Sequence, residues 1–138
     1  MERVVVALLL ISGAVIVAAV LARRAPDAPT RGNWMVPAQL DRNDFIATET
    51  PWLVVVFTSA TCETCAAVAA AASRLSGPGV AVQEVEVGVA SALHERYGID
   101  AVPTLVMADA DGVVRASHVG PLDDVDLGEV LARLRGGS

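Results

Sequence analysis

The hydrophobic pattern changes twice along the chain, and each change predicts a different kind of segment. Residues 4–22 form an uncharged and largely apolar run of 19 residues. Residues 23–37 are rich in Pro, Arg, Asp and Gly, a composition typical of a flexible linker. From residue 38 onward, short apolar runs alternate with polar turns, as expected of one globular domain over residues 38–138. Residues 1–3 precede the apolar run as a short tail.

The apolar run 4–22 is interpreted as a transmembrane anchor. At ~1.5 Å per helical residue it covers nearly all of the ~30 Å hydrocarbon core of a bilayer. A cleaved signal peptide is the alternative, with "VLA" at residues 20–22 as a tolerable cleavage site. Arg23 and Arg24 follow directly, which favours a retained single-pass anchor. By the positive-inside rule these arginines weakly indicate a cytoplasmic globular domain, and an extracytoplasmic one stays open.

In the globular part, the period of the apolar positions predicts four strands and four helices. The strands are predicted at residues 52–58, 80–87, 104–109 and 113–119, and the helices at residues 40–50, 62–75, 90–98 and 123–135. The turn signal "ADG" at residues 110–112 joins the last two strands in a hairpin. This order predicts an α/β fold in which a mixed central sheet is flanked by helices.

The same pattern assigns individual side chains to the interior or the surface. Those expected in the core are Leu40, Phe45, Phe57 and Tyr97, and those expected at the surface are His94 and His118. The acidic cluster Asp123, Asp124 and Asp126 is expected to begin the last helix, where negative charge suits the helix dipole.

Composition narrows the classes of partner. The net charge is −6, and all ten basic residues are Arg, without a basic patch interleaved with aromatic residues. This pattern argues against nucleic acid as a partner. The two cysteines cannot fill a four-ligand zinc site alone, and His94 and His118 lie far from them in sequence. We therefore expect no metal and no organic cofactor.

The chemistry is expected at the two cysteines of "TCETC", Cys62 and Cys65. If Cys62 occupies the first turn of the 62–75 helix, unpaired backbone N–H groups stabilise its thiolate and lower its pKa from ~8.5. Cys65 lies on the same helical face and could resolve a mixed disulfide formed at Cys62. The alternatives are two core residues or a purely structural disulfide. Polar neighbours count against the first, and the very short loop counts against the second.

The globular part resembles the thioredoxin superfamily over residues 38–135. The resemblance rests on "CETC", on "YGIDAVPTLVMADADGVV" at residues 97–114, and on Gly120 after the hairpin. It implies a thioredoxin-like fold, a redox-active Cys62–Cys65 disulfide, and a cis Val102–Pro103 bond. It also implies that Val102, Pro103 and Thr61 bind the partner polypeptide. With the N-terminal run, the chain is most similar to membrane-anchored thioredoxin-like proteins.

The chain departs from the family pattern around the cysteines. Thr61 replaces the usual tryptophan, and Glu63-Thr64 replaces Gly-Pro. Val56 stands where the family has a buried aspartate, and Glu84 aligns with the lysine that accompanies that aspartate.

One of these departures, Glu63, changes the expected stability of a Cys62 thiolate and with it the reduction potential of the cysteine pair. The Glu63 carboxylate opposes a thiolate at Cys62 and so favours a reducing or balanced couple over an oxidising one.

The sequence thus predicts a membrane-tethered thiol–disulfide oxidoreductase. Cys62 is its nucleophile, Cys65 its resolving cysteine, and thiols or disulfides of client and electron-donor proteins are its partners. The alternative is a non-catalytic thioredoxin-like module that binds or assembles partners and carries a degenerate C-x-x-C motif.

Overall fold

In a computed structural model the chain divides into two compact units, Met1–Asn33 and Trp34–Ser138. The structure describes residues 1–24 and 34–137, without the side chains of residues 18–24. Residues 25–33, which make up most of the predicted linker 23–37, lie outside the described residues. The predicted segment boundaries stay predictions.

The first unit contains one described helix, α1 (Glu2–Arg24), which includes the apolar run. Among the described residues, no helix has both the length and the apolar character needed to cross a membrane. The predicted anchor 4–22 extends into residues 18–22, whose side chains lie outside the description. The anchor stays a prediction.

The second unit is built on a four-stranded mixed sheet. Its elements in chain order are a 3-10 turn (Arg42–Asp44), β1 (Trp52–Thr58), α2 (Cys65–Ser73), β2 (Val80–Glu86), α3 (Ser91–Arg96), β3 (Thr104–Ala108), β4 (Val114–Val119) and α4 (Leu127–Gly136). The strand order is β2-β1-β3-β4, with β1 and β2 parallel and the other two pairs antiparallel. The predicted mixed sheet flanked by helices is confirmed. All four strands are present, and each begins and ends within one residue of the prediction.

The central strand β1 is buried on both faces, which explains its continuous apolar sequence. Leu53, Val55 and Phe57 pack on one face, against residues from α3 and its flanking turns. Val54 and Val56 pack on the other face, against α2 and α4. A fully buried side chain of this size contributes roughly 1.5–3 kcal/mol through the hydrophobic effect. Burial on both faces therefore fixes β1 at the centre of the domain.

The helix predicted at residues 40–50 is wrong. Only a 3-10 turn forms there, although Leu40 and Phe45 are buried as predicted. The carboxylate of Asp41 accepts a hydrogen bond from the backbone N–H of Asn43, at 2.9 Å, and so turns the chain locally. The buried guanidinium of Arg42 then donates to three carbonyl oxygens, two in the segment predicted as helix and one just after β3. These acceptors are the carbonyls of Ala47, Thr50 and Asp109.

The last helix begins later than predicted. Asp126 is its N-cap, and its side chain accepts a hydrogen bond from the backbone N–H of Glu129 at 3.0 Å. Asp124 has a left-handed backbone with φ of +59°, which a helix cannot include. Asp123 and Asp124 therefore lie before the helix, and only Asp126 has the expected role at its start.

The surface position predicted for His94 is also wrong. The ring is 6% exposed and packs edge-on against Phe57, with the ring centres 5.3 Å apart. Its Nε2–H donates to the carbonyl of Val85 at 2.8 Å, so the buried polar atom is satisfied. His118 is half-buried rather than fully exposed, and its Nε2 is 2.8 Å from the carbonyl oxygen of Pro121.

Of the three aromatic residues expected in the core, Phe45 and Phe57 are buried. Tyr97 is half-buried and packs against the same cluster, while its hydroxyl donates to the carboxylate of Asp44.

Candidate active site

Three connecting segments meet at the edge of the sheet where β1 ends and β3 begins. The cysteine motif follows β1, whose Phe57 pairs with Thr104, the first residue of β3. Pro103 therefore lies beside the end of β1, since it directly precedes Thr104. The backbone N–H of Gly120, just after β4, donates to the carbonyl of Pro103 at 2.9 Å. The register of the sheet thus brings the cysteine motif, Pro103 and Gly120 to the same edge.

Cys62 and Cys65 are joined in a disulfide, and their Cα atoms are 5.5 Å apart. The two residues differ in exposure. Cys65 is 3% exposed, whereas Cys62 is half-buried and more accessible. An accessible first cysteine and a shielded second one are what exchange with a partner followed by internal resolution requires.

Cys62 lies outside the helix in which the sequence places it. Helix α2 begins at Cys65, and Thr64 is its N-cap. Cys62 belongs to the preceding turn, where its backbone N–H donates to the carbonyl of Ser59 at 3.2 Å. Its Sγ lies 3.7 Å from the Thr64 hydroxyl oxygen. Because the field of a helix falls off within one turn, α2 supports a Cys62 thiolate less than the sequence argument assumes.

Cys65 belongs to the face of α2 that packs on the sheet. The buried residues of this helix are Cys65, Val68 and Ala72, at helical spacing. On the sheet, Val56 is 1% exposed, so the position of the family's aspartate is apolar. Val56 pairs in register with Glu84 of β2, which is exposed. The carboxylate of Glu84 accepts a hydrogen bond from the Thr58 hydroxyl at 2.8 Å.

The remaining predicted site residues lie in the two segments beside the disulfide. Thr61 and Glu63 are exposed, and the Thr61 hydroxyl oxygen is 3.1 Å from that of Ser59. The Val102–Pro103 bond is cis, Val102 is half-buried and Pro103 is buried. Their roles in binding a partner and in tuning the couple stay predictions.

The site contains one residue that the sequence reasoning missed, Glu86 at the end of β2. Its Oε1 accepts hydrogen bonds from the backbone N–H groups of Ala60, at 3.2 Å, and Gly88, at 2.9 Å. Its Oε2 accepts from the N–H of Val89 at 3.1 Å. The hydrogen bond from Gly88 is the largest influence on the pKa of Glu86. With those from Ala60 and Val89 it outweighs desolvation and lowers this pKa.

Alternation along β2 is the sequence signal that could have found this residue. Residues 80, 82, 84 and 86 share one face, and Val80 and Val82 pack in the cluster that faces α2 and α4. A carboxylate at the last position of that face therefore reaches the segment that follows β1.

In the parts of the chain described here, no group of three or more His, Cys, Asp or Glu side chains could hold a metal ion.

Comparison with known proteins gives matches among solved structures. No protein-family model matches the chain, and no curated protein sequence does. A mutant thioredoxin from Halobacterium salinarum is 27% identical with a TM-score of 0.52, and the match covers 72% of this chain and 83% of that one. The germline-specific thioredoxin Deadhead of Drosophila melanogaster is 24% identical with a TM-score of 0.55, and the match covers 64% of this chain and 85% of that one. A malarial protein is 15% identical with a TM-score of 0.54, and the match covers 61% of this chain and 97% of that one.

Two of these solved structures are thioredoxins, with TM-scores of 0.52 and 0.55 to this chain. The second unit therefore has a thioredoxin-like fold, and its Cys62–Cys65 pair lies at disulfide distance.

Proposed function

We propose that the chain is a thiol–disulfide oxidoreductase that exchanges its Cys62–Cys65 pair with cysteines of other proteins. One observation carries the proposal: an accessible Cys62 and a buried Cys65 share a disulfide at the sheet edge that also holds Val102 and Pro103. The thioredoxin-like fold supports the same chemistry.

The reaction balances in two exchange steps. In the reducing direction the Cys62 thiolate attacks a disulfide of the partner, and one partner sulfur leaves as a thiolate. Cys65, after losing its proton to solvent, attacks Cys62 in the mixed disulfide and releases the second partner thiolate. The partner gains two electrons, the chain is left with the Cys62–Cys65 disulfide, and another thiol protein restores the dithiol.

The site favours a reducing or balanced couple. Glu63 places a carboxylate next to Cys62, and helix α2 begins three residues after Cys62. Both features reduce the stabilisation of a Cys62 thiolate. A less stable reduced form makes the disulfide a weaker oxidant.

The partner polypeptide is proposed to bind at Val102, Pro103 and Thr61. Val102 is half-buried at the sheet edge, next to the segment that carries Cys62. Thr61 is exposed immediately before the nucleophile.

The domain is further proposed to be tethered to a membrane as a single-pass protein. The support is the uncharged run 4–22 followed by Arg23 and Arg24. In membranes from cells that produce the full chain, alkaline carbonate should leave the protein in the pellet. Quantitative release into the supernatant would refute the tether while leaving the redox proposal intact.

Replacement of Cys65 tests the proposed exchange. With Cys65→Ser, attack by Cys62 on a partner disulfide cannot be resolved, so covalent complexes that dithiothreitol releases should accumulate. The double variant Cys62→Ser/Cys65→Ser is the matched control and should trap none.

A Cys65→Ser variant that binds partners but never forms such complexes would instead support the non-catalytic binding module. The apolar Val56 in place of a relay carboxylate is the feature that favours this alternative.

A further inference from the structure

The carboxylate of Glu86 connects the segment that follows β1 to the segment that follows β2. It accepts a hydrogen bond from the backbone N–H of Ala60, two residues before Cys62. It also accepts hydrogen bonds from the N–H groups of Gly88 and Val89, in the turn before α3. Thr58 and Glu86 are paired in register, so the carboxylate lies directly beside the point where the chain leaves β1. Bonds from neutral donors to a carboxylate are stronger than bonds between neutral groups.

A second observation shows that the neighbouring backbone makes room for this carboxylate. A Cβ atom added to Gly88 would lie 3.0 Å from Oε2 and 3.2 Å from Oε1 of Glu86. The backbone of Gly88 is not in the left-handed region, so the obstacle to a side chain there is the carboxylate itself. Gly88 thus allows two N–H groups of the turn to close on Glu86.

We infer that Glu86 is a positioning residue for Cys62. Its carboxylate holds the segment 59–61 in place when the disulfide is open. This inference rests on the proposed function. In the disulfide form, the bond to Cys65 itself restrains Cys62. In the dithiol form that restraint is gone, and the hydrogen bond from Ala60 to Glu86 keeps Cys62 close to Cys65.

Two physical effects of Glu86 act in the same direction. Holding Cys62 near Cys65 raises their effective concentration and favours the disulfide. The negative charge of Glu86 also disfavours a thiolate in the segment that it anchors, which destabilises the reduced form. Removing Glu86 should therefore make the disulfide easier to reduce.

Equilibration of the full chain with reduced and oxidised glutathione tests this inference. For Glu86→Ala we expect the equilibrium constant for disulfide formation to fall about five- to tenfold, and a tenfold fall corresponds to about 30 mV. Glu86→Gln keeps one acceptor oxygen without the charge and should lie between the wild type and Glu86→Ala.

Gly88→Ala provides a variant that leaves Glu86 itself in place. It should shift the carboxylate by a few tenths of an ångström and so lower the same constant by less than Glu86→Ala does, and it should have no further effect when Glu86 is already Ala. Gly77→Ala is the matched control, because a Cβ there meets nothing within 4 Å. Its equilibrium constant should equal that of the wild type.

The outcomes separate this inference from the proposed function. A purely structural role of Glu86 would destabilise the dithiol and disulfide forms equally and leave the glutathione equilibrium unchanged. Wild-type-like constants for Glu86→Ala and Gly88→Ala would thus overturn the inference, while the wild-type pair still exchanged. If the wild-type pair neither opens nor closes in glutathione buffers, the proposed function fails, and the inference fails with it.

Discussion

Gly112 is predicted to be the glycine at which alanine destabilises the domain most. A Cβ atom at this position would lie 2.0 Å from the backbone oxygen of Leu40. The two segments are hydrogen-bonded there, through Leu40 N–H to the Gly112 carbonyl at 2.7 Å and Val114 N–H to the Ala38 carbonyl at 3.0 Å. The clash therefore cannot be relieved without separating these segments.

The cost of Gly112→Ala can be estimated from its parts. Its φ of +80° costs a residue with a Cβ about 1–2 kcal/mol. Losing the two backbone hydrogen bonds costs about 0.5–1.5 kcal/mol each. The total is about 2–5 kcal/mol, a large share of the ~5–15 kcal/mol that stabilises a typical domain.

Gly79→Ala is the matched control for this prediction. Gly79 has nearly the same φ, +78°, but its added Cβ would make only ordinary contacts at 3.8 Å. It should lose only the backbone term of about 1–2 kcal/mol. Urea unfolding followed by tryptophan fluorescence measures both variants. If Gly112→Ala were no less stable than Gly79→Ala, the close approach would not be the reason for a glycine at residue 112.

Two further predictions concern the hydrogen bonds beneath the hairpin. Arg42→Met should lower the free energy of unfolding by about 2–4 kcal/mol, because it removes the hydrogen bonds that the guanidinium donates to the carbonyls of Ala47, Thr50 and Asp109. Urea unfolding measures this loss, and an unchanged midpoint would contradict it. Burial favours a neutral Asp109, but hydrogen bonds from Arg115 and from backbone N–H groups outweigh it and lower its pKa. Stability should therefore fall as pH drops through this lowered pKa, and it should fall less steeply for Asp109→Asn, as urea titrations between pH 7 and 3 would show. Equal slopes would contradict that assignment.

The parts of the fold that could be predicted are those that a periodic pattern encodes. The continuous apolar sequence of β1 predicts a strand buried on both faces, and the structure has it at residues 52–58. The "ADG" signal predicts the β3–β4 hairpin, and the two strands pair antiparallel. Two cysteines placed just after a buried strand predict a pair at the sheet edge, and the structure joins them.

The starts of the helices could not be predicted as well, because they depend on side chains near the ends. The sequence favours helix from Cys62, yet α2 begins at Cys65 after a turn closed by Cys62 N–H and the Ser59 carbonyl. It favours helix from Asp123, yet Asp126 caps α4. Good helix formers next to polar residues leave the start of a helix open over several positions.

The sequence by itself determined the strands, the order of the elements and the cysteine pair, because burial on one or both faces leaves a local pattern in the chain. Only the tertiary structure decided what Arg42, His94 and Glu86 do. Arg42 donates to a carbonyl of Asp109, the imidazole of His94 fills the space beside Phe57, and Glu86 reaches Ala60 across the β1–β2 pair. Each of these contacts joins residues far apart in the chain, so it depends on which strands lie side by side, and the period of any one segment does not specify that.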